Sequence, residues 1–386
     1  MIRKTGVAVG IFAAWFLAAW AGIEDAHLAN FPRLPGETDD SPRFIRAIAS
    51  AANGVLAVPK GDYAIASPIV ITNRCSLEMH PAAILKAVKP MDFVLTWDGF
   101  ADYNRLVLFN ADGTIYDNLG LFIRGGEIDG NGLASCLRLG NAHHFTLSNI
   151  AFHNGLKAGL EVTRRNKAHL YELVANNVYC KCNMPGLAGN IGIDCQVCDC
   201  HFTDIVVVDY TIGIRAGNSA NRFTRCHIWG GTVPPKGMGV REWSEYYGRN
   251  KAKRYSSKGV KWSAEDEADL LAKGVPEMLE KSIAFKIDAG ENVFDGCYAD
   301  TAEIGFLIGG NTTIVHCGFF NNPLMGLRKS TAIVHKYGKL TVAYSNFRGW
   351  AGCEKLYEGD GKNVVWEHST ALGGVGMAEA AALLGK

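Results

Sequence analysis

The sequence predicts an all-β fold in which a single chain winds into a right-handed parallel β-helix, and three observations support this. Short β-rich runs such as Val55–Val58 and Ile69–Ile71 are separated by Gly and Asn. Two such elements recur in alternation along the chain. The 44 glycines against 12 prolines suit many tight turns without a collagen period. At 386 residues and 48% hydrophobic, the chain is long enough to bury one large core.

The first 21 residues are typical of a signal peptide. Arg3 and Lys4 precede an apolar stretch that closes on Ala19-Trp20-Ala21, a small-residue pattern typical of a cleavage site. The alternative is an uncleaved membrane anchor, because the apolar stretch is just long enough to span a bilayer. In both cases the body of the protein leaves the cytosol. We therefore expect a secreted, periplasmic or cell-surface protein.

A short amphipathic helix is expected next, as a cap on the N-terminal end of the solenoid. Asp40-Ser41-Pro42 combines a helix-capping residue with a proline in the first turn, and Asn53-Gly54 ends the pattern. The apolar positions between these signals are Phe44, Ile45, Ile48 and Ala52.

Two repeat elements alternate through the rest of the chain. The copies of the first are Leu147–Ile150, Phe202–Ile205, Phe223–Cys226, Phe294–Cys297, Ile314–Cys317 and Val342–Ser345. The copies of the second, mostly entered through glycine, are Gly159–Val162, Gly192–Cys195, Gly213–Ala216, Ala284–Ile287 and Gly305–Ile308. The steps mostly run from about 20 to 29 residues, the length of one solenoid coil. Leucine-rich repeats do not fit, because their leucine-and-asparagine consensus is absent. A β-sandwich is disfavoured, because the repeat stays in register at two sites in each period.

We assign the β-helix domain to residues 35–372 and a C-terminal tail to 373–386. One coil is interrupted by an insertion, residues 232–282, which contains Trp243, other aromatic residues and many Lys and Arg. Its part from Ser263 to Lys281 is helix-like. Aromatic rings stack on sugars and cations hold acidic groups, so one hypothesis is a lid over an anionic glycan. The alternative is a surface loop, or a contact loop in a homotrimer.

Several segments resemble the pectate-lyase superfamily, which includes polygalacturonase-like hydrolases and tailspike depolymerases. Thr38–Ser41 with the helix after it, and Val55–Tyr63, resemble the opening of these β-helices, and Gly125–Gly132 is similar to a polygalacturonase Gly-x-Ile-Asp-Gly-x-Gly segment. The resemblance covers most of residues 35–350. It implies the β-helix scaffold and a polysaccharide substrate.

The hydrolytic residues of that family are largely absent. Its Asn-Thr-Asp triplet matches Gly189-Asn190-Ile191, so a catalytic aspartate is missing, and its paired aspartates match Asp209-Tyr210. Its Arg-Ile-Lys matches Lys286-Ile287-Asp288 only in part, and no Gly-His-Gly is found. The resemblance implies substrate contacts for Asn190 and a catalytic role for Asp209. The alternative for Asp209 is a turn residue that bonds local backbone.

Alternation of side chains in the second repeat element predicts a stacked outward row. The row reads Arg138, Glu161, Asp194, Arg215, Lys286 and Leu307. We place the glycines of the element two residues earlier on the same face, where they floor a groove for a sugar chain. Glu161 and Asp194 then lie one coil apart, at about the carboxylate separation of retaining glycosidases. The alternative is a solvated charge ladder in which unlike charges pair.

The remaining polar residues are interpreted as structural. Asn149 and Asp204 occupy coil corners, and His143, His144, His201 and His227 show no metal-binding spacing. Cys195, Cys226, Cys297 and Cys317 fall at inward positions, which indicates a buried cysteine stack. One or two disulfides among Cys180, Cys182, Cys198 and Cys200 are the alternative to free thiols. We expect neither a metal nor a cofactor.

The function predicted is an exported glycoside hydrolase or polysaccharide lyase that acts on an acidic glycan. Glu161, Asp194 and Asp209 are the catalytic candidates, and Arg138, Arg215, Lys286, Asn190 and Trp243 are the substrate-binding candidates. The alternative is a non-catalytic glycan-binding or structural β-helix, similar to an adhesin or tailspike. A net charge of +1 gives no reason to expect a nucleic-acid partner, and membrane contact is expected only if the N-terminal segment stays uncleaved.

Overall fold

The structure is a computed structural model that describes residues 25–52, 54–98, 120–140, 144–163, 172–183, 189–230, 282–320, 330–348 and 353–372. Within these residues there are thirty strands, and every pairing between them is parallel; one α-helix stands between the first strand and the second. The predicted right-handed parallel β-helix is confirmed. The signal-peptide segment, the insertion up to residue 281 with Trp243, and the C-terminal tail lie outside the described residues.

The helix α1 (Ser41–Ser50) is the predicted cap. Pro42 stands in its first turn and its buried side chains include Phe44 and Ile48, which join the core. The carboxylate of Asp40, ahead of the helix, is buried and accepts hydrogen bonds from Arg33 Nη2 at 2.6 Å and from the Ala64 amide at 2.8 Å. Asp40 therefore ties the helix start to a strand of the first coil.

Each coil presents three faces, and the first two belong to one 20-stranded sheet. The first face contains β1 (Ala26–His27), β2 (Val55–Val58), β5 (Ser76–Met79), β8 (Phe122–Arg124), β17 (Asn221–Thr224), β20 (Glu291–Asp295), β23 (Asn311–Val315), β26 (Leu340–Ala343) and β29 (Val364–Glu367). The second face contains β3 (Gly61–Ile65), β6 (Ala83–Ala87), β9 (Glu127–Asp129), β18 (His227–Gly230), β21 (Tyr298–Asp300), β24 (Gly318–Phe320), β27 (Asn346–Arg348) and β30 (Thr370–Leu372). Three long strands run through both faces: β11 (Thr146–His153), β13 (Val174–Lys181) and β15 (His201–Tyr210).

The third face is a separate ten-stranded sheet. It contains β4 (Ile69–Ile71), β7 (Phe93–Trp97), β10 (Ser135–Leu139), β12 (Ala158–Val162), β14 (Ile191–Cys195), β16 (Ile212–Ala216), β19 (Ile283–Ile287), β22 (Ile304–Gly309), β25 (Ser330–Tyr337) and β28 (Cys353–Glu358). A 3₁₀ turn, Leu28–Asn30, precedes α1. Within the residues described, no helix is both long and apolar enough to cross a lipid bilayer.

From the coil of β8 and β9 onward, the corner between the first and second faces contains a residue in the left-handed backbone region. These corner residues are Gly125, Asn149, Asn177, Asp204, Arg225, Gly296, His316, Tyr344 and His368. Asn177 Nδ2 donates to Asn149 Oδ1 at 2.8 Å, and Arg225 donates two bonds of 2.7 Å to Asp204. The structural interpretation of Asn149 and Asp204 is therefore confirmed, because Asn and Asp tolerate this conformation and bond along the ladder.

Stacked rows of apolar side chains fill the interior as predicted. The ring of Phe223 lies 5.1 Å from that of Phe202 and 4.8 Å from that of Phe294, both nearly parallel to it. The buried cysteine row Cys226, Cys297 and Cys317 is confirmed, and Ser345 continues it. Cys180 and Cys200 are free thiols, so the disulfide alternatives that involve either of them are wrong.

The glycine row of the third face corrects one prediction, since it points into the core and floors no outer groove. A Cβ atom on Gly192 would lie 2.3 Å from Val207 Cγ1, and one on Gly213 would lie 2.2 Å from Ile228 Cγ2. Val207 and Ile228 are fully buried residues of the second face. Simple alternation of side chains therefore does not hold at the start of β14 and β16. Because these glycines have no side chain, the inward side chains of the next coil can pack directly against their backbone.

Replacing Gly192 with alanine is expected to lower the free energy of unfolding by about 1 to 3 kcal/mol, because overpacking a filled core forces backbone and side-chain shifts. The added methyl also meets the backbone oxygen of Gly213 at 2.7 Å. Urea unfolding measures the loss, and Val207→Ala in the same chain should recover part of it. The matched control is Gly318→Ala, where the nearest atom is 3.4 Å away. Equal losses at both glycines would contradict the inward packing.

Candidate functional site

The outward row of the third face is formed as the sequence predicts, and we call Arg138, Glu161, Asp194, Arg215, Lys286 and the nearby Asp288 the charged ladder. The first five residues are paired in order on five consecutive strands, β10, β12, β14, β16 and β19. Neighbouring strands of a parallel sheet are about 4.8 Å apart. The ladder is therefore a compact column in which two adjacent carboxylates, Glu161 and Asp194, lie between Arg138 on one side and Arg215 and Lys286 on the other.

At one end of the ladder, Arg138 binds Glu161. Its Nε atom donates to Glu161 Oε1 at 2.7 Å, and its guanidinium lies over the ring of Phe93 at 3.9 Å from the centroid. The two side chains are about one fifth exposed. The stacking and the hydrogen bond hold the Glu161 carboxylate in one place.

At the other end, Arg215 is shared between two carboxylates. Its Nε atom donates to Asp288 Oδ2 at 2.6 Å, while its Nη1 atom lies 3.5 Å from Asp194 Oδ2. Lys286 Nζ lies 3.4 Å from Asp288 Oδ1. Sequence reasoning missed Asp288 as a member of the site, although it stands just after β19 and two residues beyond Lys286. Extending the two-residue alternation of side chains beyond the end of β19 would have identified Asp288.

Asp194 is the most buried member of the ladder, with 7% of its side chain exposed. Gln196 Nε2 donates to its Oδ2 atom at 2.8 Å, and Thr163 Oγ1 donates to Gln196 Oε1 at 3.1 Å. Its buried Oδ1 atom has no hydrogen-bond partner among the residues that the structure describes. Burial raises the pKa of Asp194, although the hydrogen bond from Gln196 and the charge of Arg215 oppose the shift. Asp194 thus holds its proton more tightly than an exposed aspartate does.

The other predicted site residues lie away from the ladder. Asn190 is buried at the turn before β14, where its Oδ1 accepts from the Thr211 amide at 2.8 Å, so its side chain serves the coil corner. Asp209 is a buried, left-handed residue at an irregularity of β15, at the edge of the second face. Trp243 lies outside the described residues. The structure places Glu161 and Asp194 on adjacent strands of the third face. Asp209 lies on the other sheet and is not part of the ladder.

A second group of polar side chains lies on the outer surface of the second face, and sequence reasoning missed it. We call Glu127, His153, Tyr179 and Lys181 the second-face cluster. His153 Nδ1 bonds Glu127 Oε1 at 2.7 Å, and the His153 ring lies edge-on to that of Tyr179, 6.0 Å between centroids. Lys181 is paired with His153 across adjacent strands. Extending the alternation through the second half of the long strands would have found these residues.

The tyrosine of this cluster is 37% exposed. Burial of its hydroxyl, and then the charge of Asp209, raise the pKa of Tyr179. The phenol therefore stays protonated through the neutral range. Beyond it on the same face, the ring of His227 stacks on that of Tyr298 at 4.0 Å.

The first face carries a groove of about 770 Å³ at its entry corner. The polar residues that line it are His144, Glu172, Asp199, His201, Arg222 and Glu291. His144 Nε2 contacts Glu172 Oε2 there. In the described part of the chain, no three His, Cys, Asp or Glu side chains are grouped so as to hold a metal ion.

Comparisons with known proteins show the fold alone. No protein-family model matches the chain, and no curated protein matches it. Among solved structures, the enzymatically active domain of tailspike protein 2 from bacteriophage CBA120 is similar, with a TM-score of 0.57, 10% identity and coverage of 89% of this chain and 46% of that one. The chain thus spans less than half the length of that structure. Its right-handed parallel β-helix is shared with this protein.

Two further structures are similar at lower scores. ORF18 of Geobacillus virus E2 has a TM-score of 0.47 and 13% identity, with coverage of 97% of this chain and 66% of that one. An alginate lyase from Paenibacillus sp. str. FPU-7 has a TM-score of 0.49 and 10% identity, with coverage of 84% of this chain and 97% of that one.

Proposed function

We propose that the protein is an exported enzyme that cleaves an acidic polysaccharide by hydrolysis at the charged ladder. Asp194 is the proton donor and Glu161 is the ionised carboxylate that works with it. Export is supported by the signal-peptide pattern of residues 1–21. The β-helix of the similar tailspike structure is described as an enzymatically active domain, which supports an enzyme on this scaffold.

One observation carries the proposal: two neighbouring carboxyl groups have opposite environments. Asp194 is buried, its Oδ1 atom has no hydrogen-bond partner within the described segments, and burial raises its pKa. Glu161 is one strand away and accepts a hydrogen bond of 2.7 Å from the guanidinium of Arg138. Environments that separate the proton affinities of two carboxyls assign one as acid and leave the other ionised.

The spacing of the pair fits a retaining hydrolysis. Residues paired on adjacent strands lie about 4.8 Å apart, close to the separation of about 5 to 5.5 Å between carboxyls in retaining glycosidases. Asp194 gives its proton to the glycosidic oxygen as the bond to the anomeric carbon breaks, and Glu161 forms the glycosyl ester. Water then hydrolyses this ester, and Asp194 takes its proton back.

The cations of the ladder support an acidic substrate. Arg215 and Lys286 both contact the partly exposed Asp288, and their side chains are about one third exposed. A uronate carboxylate that replaces Asp288 would bind the same two groups. Arginine binds carboxylates through paired N–H donors, which fixes the orientation of a sugar ring as well as its charge.

The second candidate is a glycan-binding or structural β-helix without catalysis. The observation in its favour is that Arg138, Arg215 and Lys286 each already contact a carboxylate of the same ladder. Cross-strand pairs of opposite charge stabilise a sheet by about 0.2 to 1 kcal/mol, and this alone accounts for a charged row.

The test uses the protein without residues 1–21 and a panel of uronate polymers and neutral glucans. Hydrolysis makes reducing ends without unsaturated ends, so we expect reducing ends in excess of the ultraviolet-absorbing unsaturated ends. Glu161→Gln should lower kcat by about 10² to 10⁴-fold. The control is Glu78→Gln, which breaks a similar exposed pair with Arg124 at 2.7 Å on the first face. No excess reducing ends from any polymer, or no loss in Glu161→Gln, would refute hydrolysis at the ladder.

A further inference from the structure

The second-face cluster lies on a different sheet from the charged ladder and has no part in the hydrolysis proposed there. Its four residues come from three coils: Glu127 from β9, His153 from β11, and Tyr179 and Lys181 from β13. The strand register stacks these residues. Strand β9, which carries Glu127, pairs with β11, and His153 on β11 pairs with Lys181 on β13. The group is therefore as compact as the ladder itself.

His153 is oriented as a proton acceptor. Nδ1 of His153 lies 2.7 Å from Glu127 Oε1, and a carboxylate there accepts a hydrogen bond from Nδ1. In the neutral tautomer that this contact favours, the lone pair is on Nε2, which bonds no described residue. His153 and Glu127 side chains are each 23% exposed, so solvent and substrate reach the pair. A carboxylate that sets the tautomer of a histidine is a recurrent device for general bases.

Lys181 supplies a positive charge beside this base. It lies directly opposite His153 on the neighbouring strand and is partly exposed, and it forms no ion pair with any described residue. The cations of the ladder, by contrast, all contact carboxylates. An uncompensated ammonium group on an outer sheet surface suits an anionic group of a ligand.

Tyr179 supplies a proton donor next to His153, on the same strand as Lys181. Its ring stands nearly perpendicular to the histidine ring, at 79°, and it shares the outer surface of β13 with Lys181. The hydroxyl-bearing ring thus lies beside the base, and the strand register places the cation opposite the base. Abstraction of a proton next to a carboxylate, with protonation of a leaving oxygen, needs these three groups.

We propose that the second-face cluster cleaves a uronate polymer by β-elimination. Lys181 binds the uronate carboxylate, and His153 Nε2 takes the proton from carbon 5. The electron pair forms a double bond between carbons 4 and 5, and the bond from carbon 4 to the glycosidic oxygen breaks. Tyr179 gives its hydroxyl proton to that oxygen. No water is consumed, and the proton returns from the imidazolium to the phenolate through solvent. Glu127 is a positioning residue that acts through His153.

The experiment counts unsaturated ends by ultraviolet absorbance, with alginate, polygalacturonate and hyaluronan as probes. We expect unsaturated ends from at least one of them and a fall in kcat of about 10² to 10⁴-fold in His153→Ala and in Tyr179→Phe. Lys181→Met should act mainly on KM, since it removes the carboxylate contact. Glu127→Ala should lower kcat at nearly constant KM, and Glu127→Gln should retain part of the rate because it still accepts from Nδ1. The matched control is His201→Gln, an exposed histidine on the first face.

Two outcomes would overturn the inference: no unsaturated ends from any probe, or unsaturated ends that form at the same rate in His153→Ala. Circular dichroism and urea midpoints equal to the wild type exclude misfolding as the cause of a loss. Failure here is distinct from failure of the hydrolysis proposal. Elimination makes one reducing end for each unsaturated end, so any excess of reducing ends reports hydrolysis alone.

Discussion

Replacing Asp194 with asparagine is expected to lower hydrolytic kcat by about 10² to 10⁴-fold, as for the loss of a general acid, and to raise stability at neutral pH. The amide cannot donate the proton that the leaving oxygen needs. It keeps an oxygen that accepts from Gln196 Nε2, and Arg215 keeps its bond of 2.6 Å to Asp288. Activity and stability should therefore move in opposite directions.

The sign of the stability effect follows from the raised pKa of Asp194. Burial moves this pKa above its ordinary value of 3.8, so the folded state holds the proton more tightly than the unfolded state. The wild type consequently loses stability as pH rises from about 4 through the raised pKa. Asparagine has no proton to lose. The variant should be the more stable protein above this window, and the difference should shrink as the pH falls below it.

Urea unfolding at a series of pH values, together with reducing-end assays, checks both halves of this prediction. Asp204→Asn is the control, because this exposed carboxylate is bonded to Arg225 and the pKa of Asp204 is lowered. Its removal should not stabilise the protein at neutral pH. An Asp194→Asn protein that is inactive and also less stable at neutral pH would mean that Asp194 is an ionised structural partner of Arg215.

Truncating Phe223 to alanine is expected to cost about 3 to 5 kcal/mol of unfolding free energy, the largest effect of any stability variant considered. The ring is fully buried between Phe202 and Phe294, at 5.1 and 4.8 Å between centroids. Removal leaves a cavity between two coils that the stacked strands cannot close, and it also removes two aromatic contacts worth about 0.5 to 1.5 kcal/mol each.

The urea midpoint and the slope of the transition measure this loss. The control is Tyr344→Ala, which also removes a stacked ring, 5.1 Å from that of His368, but at a corner where the tyrosine is 57% exposed. Its cost should stay within about 0.5 kcal/mol. Similar midpoints for the two variants would contradict a core held by the phenylalanine row.

The repeat pattern was sufficient to predict the fold and the register. Pairing of Phe223 with Phe202 and with Phe294, and of Glu161 with Asp194, agrees with the spacing of the repeats. Register is a local property here, because each coil contacts only its neighbours and one buried row fixes the alignment of all of them. A one-residue slip would turn that row outward.

The candidate site was predictable only in part. The column from Arg138 to Lys286 followed from side-chain alternation, whereas Asp288 stands beyond the strand that the pattern covers. The second-face cluster was not predicted, because the repeat elements extend only to the corner between the first and second faces in each long strand. Nothing in the spacing alone indicates that Glu127 orients His153.

The parallel β-helix, the membership of each row and the charge of one outer row could all be predicted from the amino-acid sequence. These properties depend on periods of two residues and of one coil, which any reader of the chain can count. The inward direction of the glycine row came from the three-dimensional packing, since it depends on the close approach of Val207 and Ile228 of the next coil. The burial of Asp194, and the lack of an ion pair between Lys181 and any described residue, also follow from that packing. Burial and pairing arise from packing between distant segments, and this packing sets the chemistry of both faces.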